Sequence, residues 1–355
     1  MKILHFDARF IRLDHHDGIS RFSVELIKHL VPRVHVVAII NDLRQLEFLP
    51  KGIDYLEVNS PESITEFFIA RKLNKAGATH VYSPMQIMGS AGRKYRLVLT
   101  LHDLIYYRHR KPPQDLNPLI RTIWRLYHLS YLPQRILLNR ADEVVTVSET
   151  TKRLISKHHL TKRPVAVVYN AASIESKTSS RTFPKEIKLV YIGSFMPYKN
   201  VETLIKATGK VPGATLQLLS KITSDREEEL TELARVSGAK VVFHHGVTDK
   251  QYLDALNSAF ALVTASKDEG FGIPLVEAMS QATPVIVSDL EIFREVAGQA
   301  GNYFDANDPD SLAQQIQSLN DKQAWEANSN AALERAKLFS WEASAANLLK
   351  VFTGK

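Results

Sequence analysis

Short apolar runs rich in valine, isoleucine and leucine alternate with amphipathic stretches along nearly the whole chain. Uninterrupted apolar runs are typical of strands buried on both faces, and the amphipathic stretches are typical of crossover helices. The pattern therefore predicts α/β architecture with βαβ units and parallel sheets. The first series of runs is KILHFDA, VHVVAII, ATHVYS, RLVLTLHD, EVVTVS and VAVVYN, and the second is KLVYIGS, TLQLLS, KVVFHHG, ALVTAS and PVIVSD.

A polar, Ser/Thr-rich segment closed by Pro184 separates the two series. This composition is typical of a linker, so two Rossmann-like domains are predicted over residues 1–170 and 187–338, joined by a linker over 171–186. One further amphipathic stretch, over residues 339–355, predicts a C-terminal helix that crosses back to the first domain. Open parallel sheets bind ligands at the carboxyl ends of their strands, so residues that follow strands are the candidates for function.

Composition narrows the function classes. The chain has 355 residues, a formal net charge of +7 and no cysteine, which excludes disulfides and thiolate metal sites. No apolar run is long enough to span a bilayer, and the N-terminus lacks the pattern of a secretory signal, so a cytoplasmic protein is expected. Basic side chains outnumber acidic ones in residues 1–170, which suits a membrane surface, a nucleic acid or a phosphorylated substrate, or is simply a solvated surface.

The stretch DEGFGIPLVEA, residues 268–278, carries the clearest chemical signal. It follows the run ALVTAS, so Glu269 is expected at the carboxyl edge of a sheet. Gly270 and Gly272 allow the backbone N–H groups to approach a ligand closely. Pro274 suits the first turn of a helix, whose N-terminus is a ready anion site. Glu277 lies in the opening turns, where its carboxylate can accept hydrogen bonds from sugar hydroxyls.

This segment, continued as DEGFGIPLVEAMSQATPVIVSD, resembles the donor-binding segment of the retaining GT-B glycosyltransferases of family 4. The resemblance extends over essentially the whole chain, through GISRFSVELIKHL, LTLHDL, ADEVVTVSETTKRLI, VVYNAA, YIGSFMPYKNVETLIKA and FHHGVTDKQYLDALNSA. It implies the GT-B fold, in which an acceptor domain and a nucleotide-sugar donor domain face each other across a cleft. It also implies catalytic roles for Glu269, Lys199 and His102. The donor-binding residues that it implies are Gly18, Ser20, Arg21, Ser194, Lys199, Val247, Glu269, Gly270, Phe271, Gly272, Ile273 and Glu277.

Lys199 stands just before a predicted helix, where an ammonium opposes the helix dipole unless an anion such as a diphosphate sits there. Asn200 is placed to cap that helix. The family usually pairs this lysine with an arginine, but Ser194 and Tyr198 occupy the customary positions, so the cation is expected from Arg21 or another arginine. His102 ends the run RLVLTLHD, and the resemblance assigns it a contact with the transferred sugar.

No metal and no cofactor are expected. His15, His16, His244 and His245 lack metal-ligand spacing. Residues 108–140 form the most basic and aromatic region, with Trp124 among its rings. Two interpretations remain open for it: a helix on anionic lipid headgroups, or an internal helix that packs Leu119, Ile123, Leu126 and Ile136 on its own sheet.

The resemblance implies retaining, metal-independent transfer from a nucleoside-diphosphate sugar to a saccharide or lipid-linked saccharide of a surface polysaccharide. The combination of GISRF, LHDL and GSFMPYKN is most similar to the mannosyltransferase-like branch, so GDP-mannose is the expected donor. The expected location is the cytoplasm, at the inner face of the membrane. Two alternatives stay open: another GT-B enzyme, such as a sugar-nucleotide epimerase or a phosphorylase, and a non-catalytic protein that binds membranes or nucleic acid. Nucleic acid is the less expected partner, because no nucleic-acid motif is present.

Overall fold

The computed structural model describes residues 3–14, 17–110, 118–177, 179 and 181–354. The chain divides into two compact units: the first joins the residues up to Asn170 to the segment from Ser340, and the second is Ala171–Phe339. Each unit is a parallel sheet with helices, which confirms the predicted α/β class with two Rossmann-like domains.

The sheet of the first unit has seven strands among the described residues, in the order β3-β2-β1-β4-β5-β6-β7. Every neighbouring pair is parallel, because helices or short 3₁₀ helices carry the chain back between strands. The strands are β1 (Ile3–Asp7), β2 (His35–Ile40), β3 (Asp54–Glu57), β4 (His80–Ser83), β5 (Arg96–Leu101), β6 (Glu143–Thr146) and β7 (Val165–Val167).

The sheet of the second unit has six parallel strands in its described part, in the order β10-β9-β8-β11-β12-β13. Its central strands β11 and β12 are buried along their whole length, as their continuous apolar sequences require. The strands are β8 (Lys188–Tyr191), β9 (Thr215–Leu218), β10 (Lys240–Phe243), β11 (Ala261–Thr264), β12 (Val285–Ser288) and β13 (Gly301–Phe304).

The helices follow the amphipathic stretches. They are α1 (Gly18–Leu30), α2 (Ile69–Lys75), α3 (Ile105–Arg108), α4 (Pro118–Tyr127), α5 (Leu132–Leu138), α6 (Glu149–Lys157), α7 (Val201–Thr208), α8 (Ser224–Ser237), α9 (Asp249–Ser258), α10 (Ile273–Ser280), α11 (Glu291–Ala297), α12 (Pro309–Leu319), α13 (Lys322–Ala336) and α14 (Trp341–Thr353). Short 3₁₀ helices cover Leu43–Phe48, Ile64–Phe68, Pro197–Lys199 and Gly298–Ala300.

The C-terminal helix α14 packs on the first unit. Ser340 caps its N-terminus by accepting a hydrogen bond from the Ala343 N–H. Trp341 is buried against the ring of Phe22 on α1, with 5.9 Å between ring centroids. Near the other end of the helix, Arg96 donates a hydrogen bond to the Val351 carbonyl at 2.8 Å.

The segment predicted as a linker runs along the second unit. The Lys177 N–H donates to the Ser280 carbonyl at 2.9 Å, and the guanidinium of Arg181 donates to the Ala259 carbonyl at 2.8 Å. Arg181 also lies over the ring of Trp325, 5.4 Å from its centroid. These contacts hold Lys177 and Arg181 against the second unit.

The basic, aromatic region of the first unit forms α3, α4 and α5 in its described part. Lys111–Asn117 lie outside the described residues, as does the side chain of Leu119. Ile123, Leu126 and Ile136 are 57%, 62% and 48% exposed. The alternative in which these three side chains pack on their own sheet is therefore wrong. Trp124 packs instead against Tyr106 and His128, with ring centroids 5.1 and 4.1 Å away.

A buried ionic network lies at the carboxyl end of β1. Arg9 donates two hydrogen bonds to Asp7, at 2.7 and 3.0 Å, and two to Glu66, at 2.6 and 3.1 Å. Burial alone would lower the pKa of Arg9, but these two carboxylates raise it above its usual value. Glu66 also accepts from the Gly89 N–H, and Asp7 accepts from the Ser83 hydroxyl at the end of β4. The network thereby fixes the loop after β4.

We expect Arg9→Met to lower the free energy of unfolding by about 3–5 kcal/mol, because it leaves two buried carboxylates without their cation. Urea unfolding measures the change. The matched control is Arg44→Met, which removes an exposed arginine that pairs with Asp42 and should leave the midpoint unchanged. Equal midpoints for Arg9→Met and Arg44→Met would contradict this role for the network.

Candidate active site

The loop between β11 and α10 is built around Gly272. Its φ of +92° lies in the left-handed region, and a Cβ there would stand 3.0 Å from a ring carbon of Phe293. A glycine is therefore required for the backbone to turn into the helix. Pro274 follows in the first turn of α10, so the helix begins where the sequence predicts. The first amides of α10 point out of its N-terminus at the carboxyl edge of the sheet.

Glu269 and Lys199 are brought together at this edge. Lys199 Nζ lies 2.5 Å from Glu269 Oε2, and the two side chains are only 15% and 16% exposed. Strands β8 and β11 are neighbours in the sheet, so the loops that follow them are adjacent although the residues are far apart in sequence. Lys199 Nζ also lies 5.3 Å from the ring centroid of Tyr198, close enough for a cation–π contact.

Asn200 has a role that the sequence did not indicate. The prediction that it caps α7 is wrong, because its side chain makes no cap hydrogen bond. It adopts the left-handed conformation with φ 55°, and its amide donates to the Ala265 carbonyl at 3.1 Å and to the Ala306 carbonyl at 2.6 Å. Asn200 thus ties the loop that holds Lys199 to the end of β11, and this fixes the position of the ammonium.

Glu277 is buried in α10, and it accepts a hydrogen bond from the Tyr252 hydroxyl on α9 at 2.9 Å. Tyr252 was not predicted as a site residue. A tyrosine on an amphipathic helix gives no signal by itself, and its contact with Glu277 becomes visible only when α9 and α10 are placed side by side.

The remaining predicted residues of the second unit lie at the same edge. Ser194 is exposed in the loop after β8, and its carbonyl accepts from the Tyr191 hydroxyl at 2.6 Å. Phe271 is buried against Phe339, with ring centroids 5.7 Å apart. Val247 lines a groove of about 470 Å³ beside α9, together with polar residues such as Gln217. Lys221, which the sequence analysis did not single out, packs its side chain against Gly246 in the adjoining loop.

In the first unit, the loop before α1 is held by Asp17. Its carboxylate caps the helix by accepting from the Ser20 N–H at 2.8 Å, and it pairs with the Arg12 guanidinium at 2.7 Å. Ser20 is fully buried, and its hydroxyl accepts from the Arg12 N–H. Gly18 is exposed as the first residue of α1, and Arg21 is half-buried.

His102 lies in the turn after β5. Its Nε2 is 2.8 Å from the Pro84 carbonyl oxygen, which can only accept, so Nε2 carries the proton. Burial lowers the pKa of the ring below its usual value, so His102 is neutral near pH 7 and its Nδ1 is an acceptor. The ring packs edge-on against Phe22, with centroids 5.2 Å apart.

Across the described part of the chain, no group of three or more His, Asp or Glu side chains is placed to hold a metal ion. His15 and His16 lie outside the described residues. His244 and His245 do not form a site together: His244 bonds Gln217 at 2.7 Å, and His245 lies 3.5 Å from Glu227.

Comparisons with known families decide the class of the protein. A family model described as "Glycosyl transferases group 1" matches residues 173–337, and one described as "Glycosyltransferase Family 4" matches residues 16–176. The first match covers the unit that holds Lys199 and Glu269, and the second covers the unit that holds His102. The chain belongs to the family 4 type of GT-B glycosyltransferases.

Two curated relatives match this glycosyltransferase along most of its length. It is 27% identical over 315 residues to the O-antigen chain mannosyltransferase RfbU of Salmonella typhimurium, covering 85% of this chain and 87% of that protein. It is 26% identical over 366 residues to the O-antigen chain mannosyltransferase B of Escherichia coli, covering 92% and 93%.

Solved structures show the same fold. The sucrose-phosphate synthase of Thermosynechococcus elongatus superimposes with a TM-score of 0.75 at 18% identity, covering 100% of this chain and 99% of that one. Anabaena HepE, solved with UDP and glucose, superimposes with a TM-score of 0.73 at 18% identity, covering 100% of both chains. These similarities confirm the predicted GT-B fold.

We expect Gly272→Ala to destabilise the glycosyltransferase by roughly 1–3 kcal/mol, because alanine at this φ is strained and its methyl group presses on Phe293. It should also weaken nucleotide binding, since the amides after residue 272 must shift. Gly213→Ala is the matched control: its φ is +79°, but a Cβ there meets nothing within 4 Å. Thermal unfolding with and without nucleotide measures both effects. Equal losses of nucleotide affinity in the two variants would contradict the role of the loop.

Proposed function

We propose that this glycosyltransferase transfers mannose from GDP-mannose to a saccharide of a surface polysaccharide or glycolipid, with retention of the anomeric configuration. Two O-antigen chain mannosyltransferases match 85% and 92% of the chain, and this similarity carries the proposal. The pair of Lys199 and Glu269 beside the N-terminus of α10 supplies chemistry that fits such a donor.

The charge of the departing diphosphate is the main barrier that the site must lower. In our proposal, Lys199 and the first amides of α10 stabilise that charge without a metal ion. The usual arginine is absent at Ser194 and Tyr198, and Lys221 is our candidate for a second cation at this edge. Glu277 holds the ribose, with Tyr252 orienting its carboxylate, and the base lies against the loop that contains Val247.

In this mechanism Glu269 orients the sugar by accepting hydrogen bonds from its hydroxyls, and it is not a covalent nucleophile. The acceptor oxygen forms its bond to the anomeric carbon on the face from which the diphosphate leaves. The acceptor proton passes to a phosphate oxygen of the departing GDP, so charge balances without a separate base. In the first unit, His102 is our candidate for binding a sugar hydroxyl, because its ring is neutral and its Nδ1 can accept a hydrogen bond.

We also propose that the protein works at the cytoplasmic face of a membrane, as a peripheral protein. Three leucines of this region are exposed: Leu126 on α4, Leu129 shortly after it and Leu132 on α5. They lie beside arginines such as Arg125. Exposed apolar groups flanked by cations suit an anionic lipid surface. Among the described residues, no helix is long and apolar enough to cross a membrane.

Thermal unfolding against a panel of GDP, UDP, dTDP and their sugar nucleotides tests the donor. A ligand at about 100 times its Kd adds about 2.7 kcal/mol, which corresponds to a rise in Tm of roughly 4 °C for a chain of this length. We expect this rise for GDP and GDP-mannose in the wild-type protein and little of it in Lys199→Met and Glu277→Gln. The glutamine keeps an acceptor for the Tyr252 hydroxyl, so the fold is preserved.

Lys210→Met is the matched control, because Lys210 also pairs with a carboxylate, Asp310, but on an exposed surface. It should respond to GDP like the wild type. A response to UDP or dTDP compounds alone would keep the class of enzyme and reject GDP-mannose. No response to any nucleotide would contradict the proposed function.

A further inference from the structure

The first unit contains a cavity of about 410 Å³ to which the proposed function assigns no ligand, although His102 belongs to its wall. It lies between the turn that holds His102 and the helices α3 and α4. Its wall includes Ile19, Ile87 and Tyr106, and the cavity-facing side of α4 adds Ile123 and Trp124.

Most of the side chains that line the cavity are apolar or aromatic, and two of its polar groups are bonded within the protein. His128 Nδ1 bonds the Trp124 carbonyl at 2.8 Å, and the Tyr127 hydroxyl donates to Gln134 Oε1 at 2.8 Å. The Tyr107 hydroxyl and Gln134 Nε2 have no hydrogen-bond partner among the described residues, and buried water can satisfy both. A hydrocarbon chain can bury most of its surface against the apolar side chains of this wall.

The cavity opens to the surface through its own apolar wall. Ile120 and Ile123 both line it and are 43% and 57% exposed. Apolar side chains exposed around an apolar cavity mark a binding surface more often than an isolated exposed leucine does. A chain entering past these isoleucines would lie against Trp124.

A basic patch, formed by Arg108, Arg110 and Arg135, is separated from the cavity by the ring of Tyr131. The ring of Tyr131 stacks on Tyr107, which lines the cavity, and on His158, with centroids 4.4 and 4.5 Å away. Arg108 and Arg110 flank Tyr131, and Arg108 and Arg135 lie near His158. Cations next to an apolar cavity are complementary to a molecule that joins a hydrocarbon chain to a phosphate.

We propose that this cavity takes the hydrocarbon chain of a lipid-linked saccharide acceptor. That the acceptor is a saccharide rests on the proposed function. That it carries a hydrocarbon chain is inferred from the cavity itself. His102 and Asp103 belong both to the cavity wall and to the turn that the family resemblance assigns to sugar contact. A molecule bound with its chain in the cavity and its phosphate at the basic patch therefore has its saccharide end beside this turn.

The test is fluorescence quenching by dodecyl phosphate brominated near the end of its chain, below its micelle concentration and without donor. Bromine quenches tryptophan on contact, and Trp124 is the one of the three tryptophans that lines the cavity. We expect saturable quenching that is lost in Trp124→Phe. Brominated dodecanol, which lacks the phosphate, should bind roughly tenfold more weakly. Absence of saturable quenching, or quenching that survives in Trp124→Phe, would overturn the proposal.

Val236→Glu is the control for Ile123→Glu, since both are β-branched side chains exposed on helices, 69% and 57%, and only Ile123 lines the cavity. We expect Ile123→Glu to weaken binding at least about tenfold and Val236→Glu to leave it within about twofold. Equal weakening in both variants would overturn the assignment of the cavity.

Two other occupants give different results. Quenching by brominated phosphatidylglycerol vesicles without quenching by the monomeric probe would identify a membrane face, and it would overturn the proposal. A sedimenting dimer that Ile123→Glu converts to monomer would show that a second copy covers the cavity, and that also overturns it. None of these measurements uses a nucleotide, so failure here is distinct from failure of the donor panel.

Discussion

Parallel strands place their carboxyl ends at one edge of a sheet, and the candidate donor site depends on this constraint. Lys199 follows β8 and Glu269 follows β11. These two strands are not consecutive in the sequence, but they are neighbours in the sheet. Each loop is then fixed locally: Gly272 allows one to turn into α10, and Asn200 bonds the other to the end of β11. Neither loop would form the pair alone.

The pair of Lys199 and Glu269 has a direct bearing on how a donor binds. Two opposite charges that are mostly buried stabilise each other only while both are present. Under the proposed function, a sugar diphosphate offers each of them a new partner: the diphosphate binds the ammonium, and sugar hydroxyls bind the carboxylate. The carboxylate therefore competes with the diphosphate for Lys199 until the sugar engages it. This competition favours the complete donor over the bare nucleotide.

Most of the architecture could be predicted from the sequence, because all eleven apolar runs become strands. The pattern missed β3 and β13, which are edge strands with few uninterrupted apolar residues. An edge strand is buried less, so its sequence is constrained less.

The site was predictable where a motif is contiguous and not where contacts cross the chain. The segment around Gly272 specifies its own turn, so Glu269 and the start of α10 were found. Asn200, Tyr252 and the network around Arg9 act through residues distant in sequence, and only the folded chain shows their partners. The bond from His102 to Pro84 is of the same kind, and it determines which ring nitrogen carries the proton.

The most direct test of the account is calorimetric titration of GDP and of GDP-mannose into the wild-type protein and Glu269→Gln. The account predicts opposite changes. GDP should bind at least as tightly to the variant, because Lys199 no longer has a competing carboxylate, whereas GDP-mannose should bind about tenfold more weakly, a loss of about 1.4 kcal/mol for the missing charged hydrogen bond to the sugar. Equal weakening of both ligands, or no change in either, would contradict the claim that Glu269 holds the sugar and Lys199 the diphosphate.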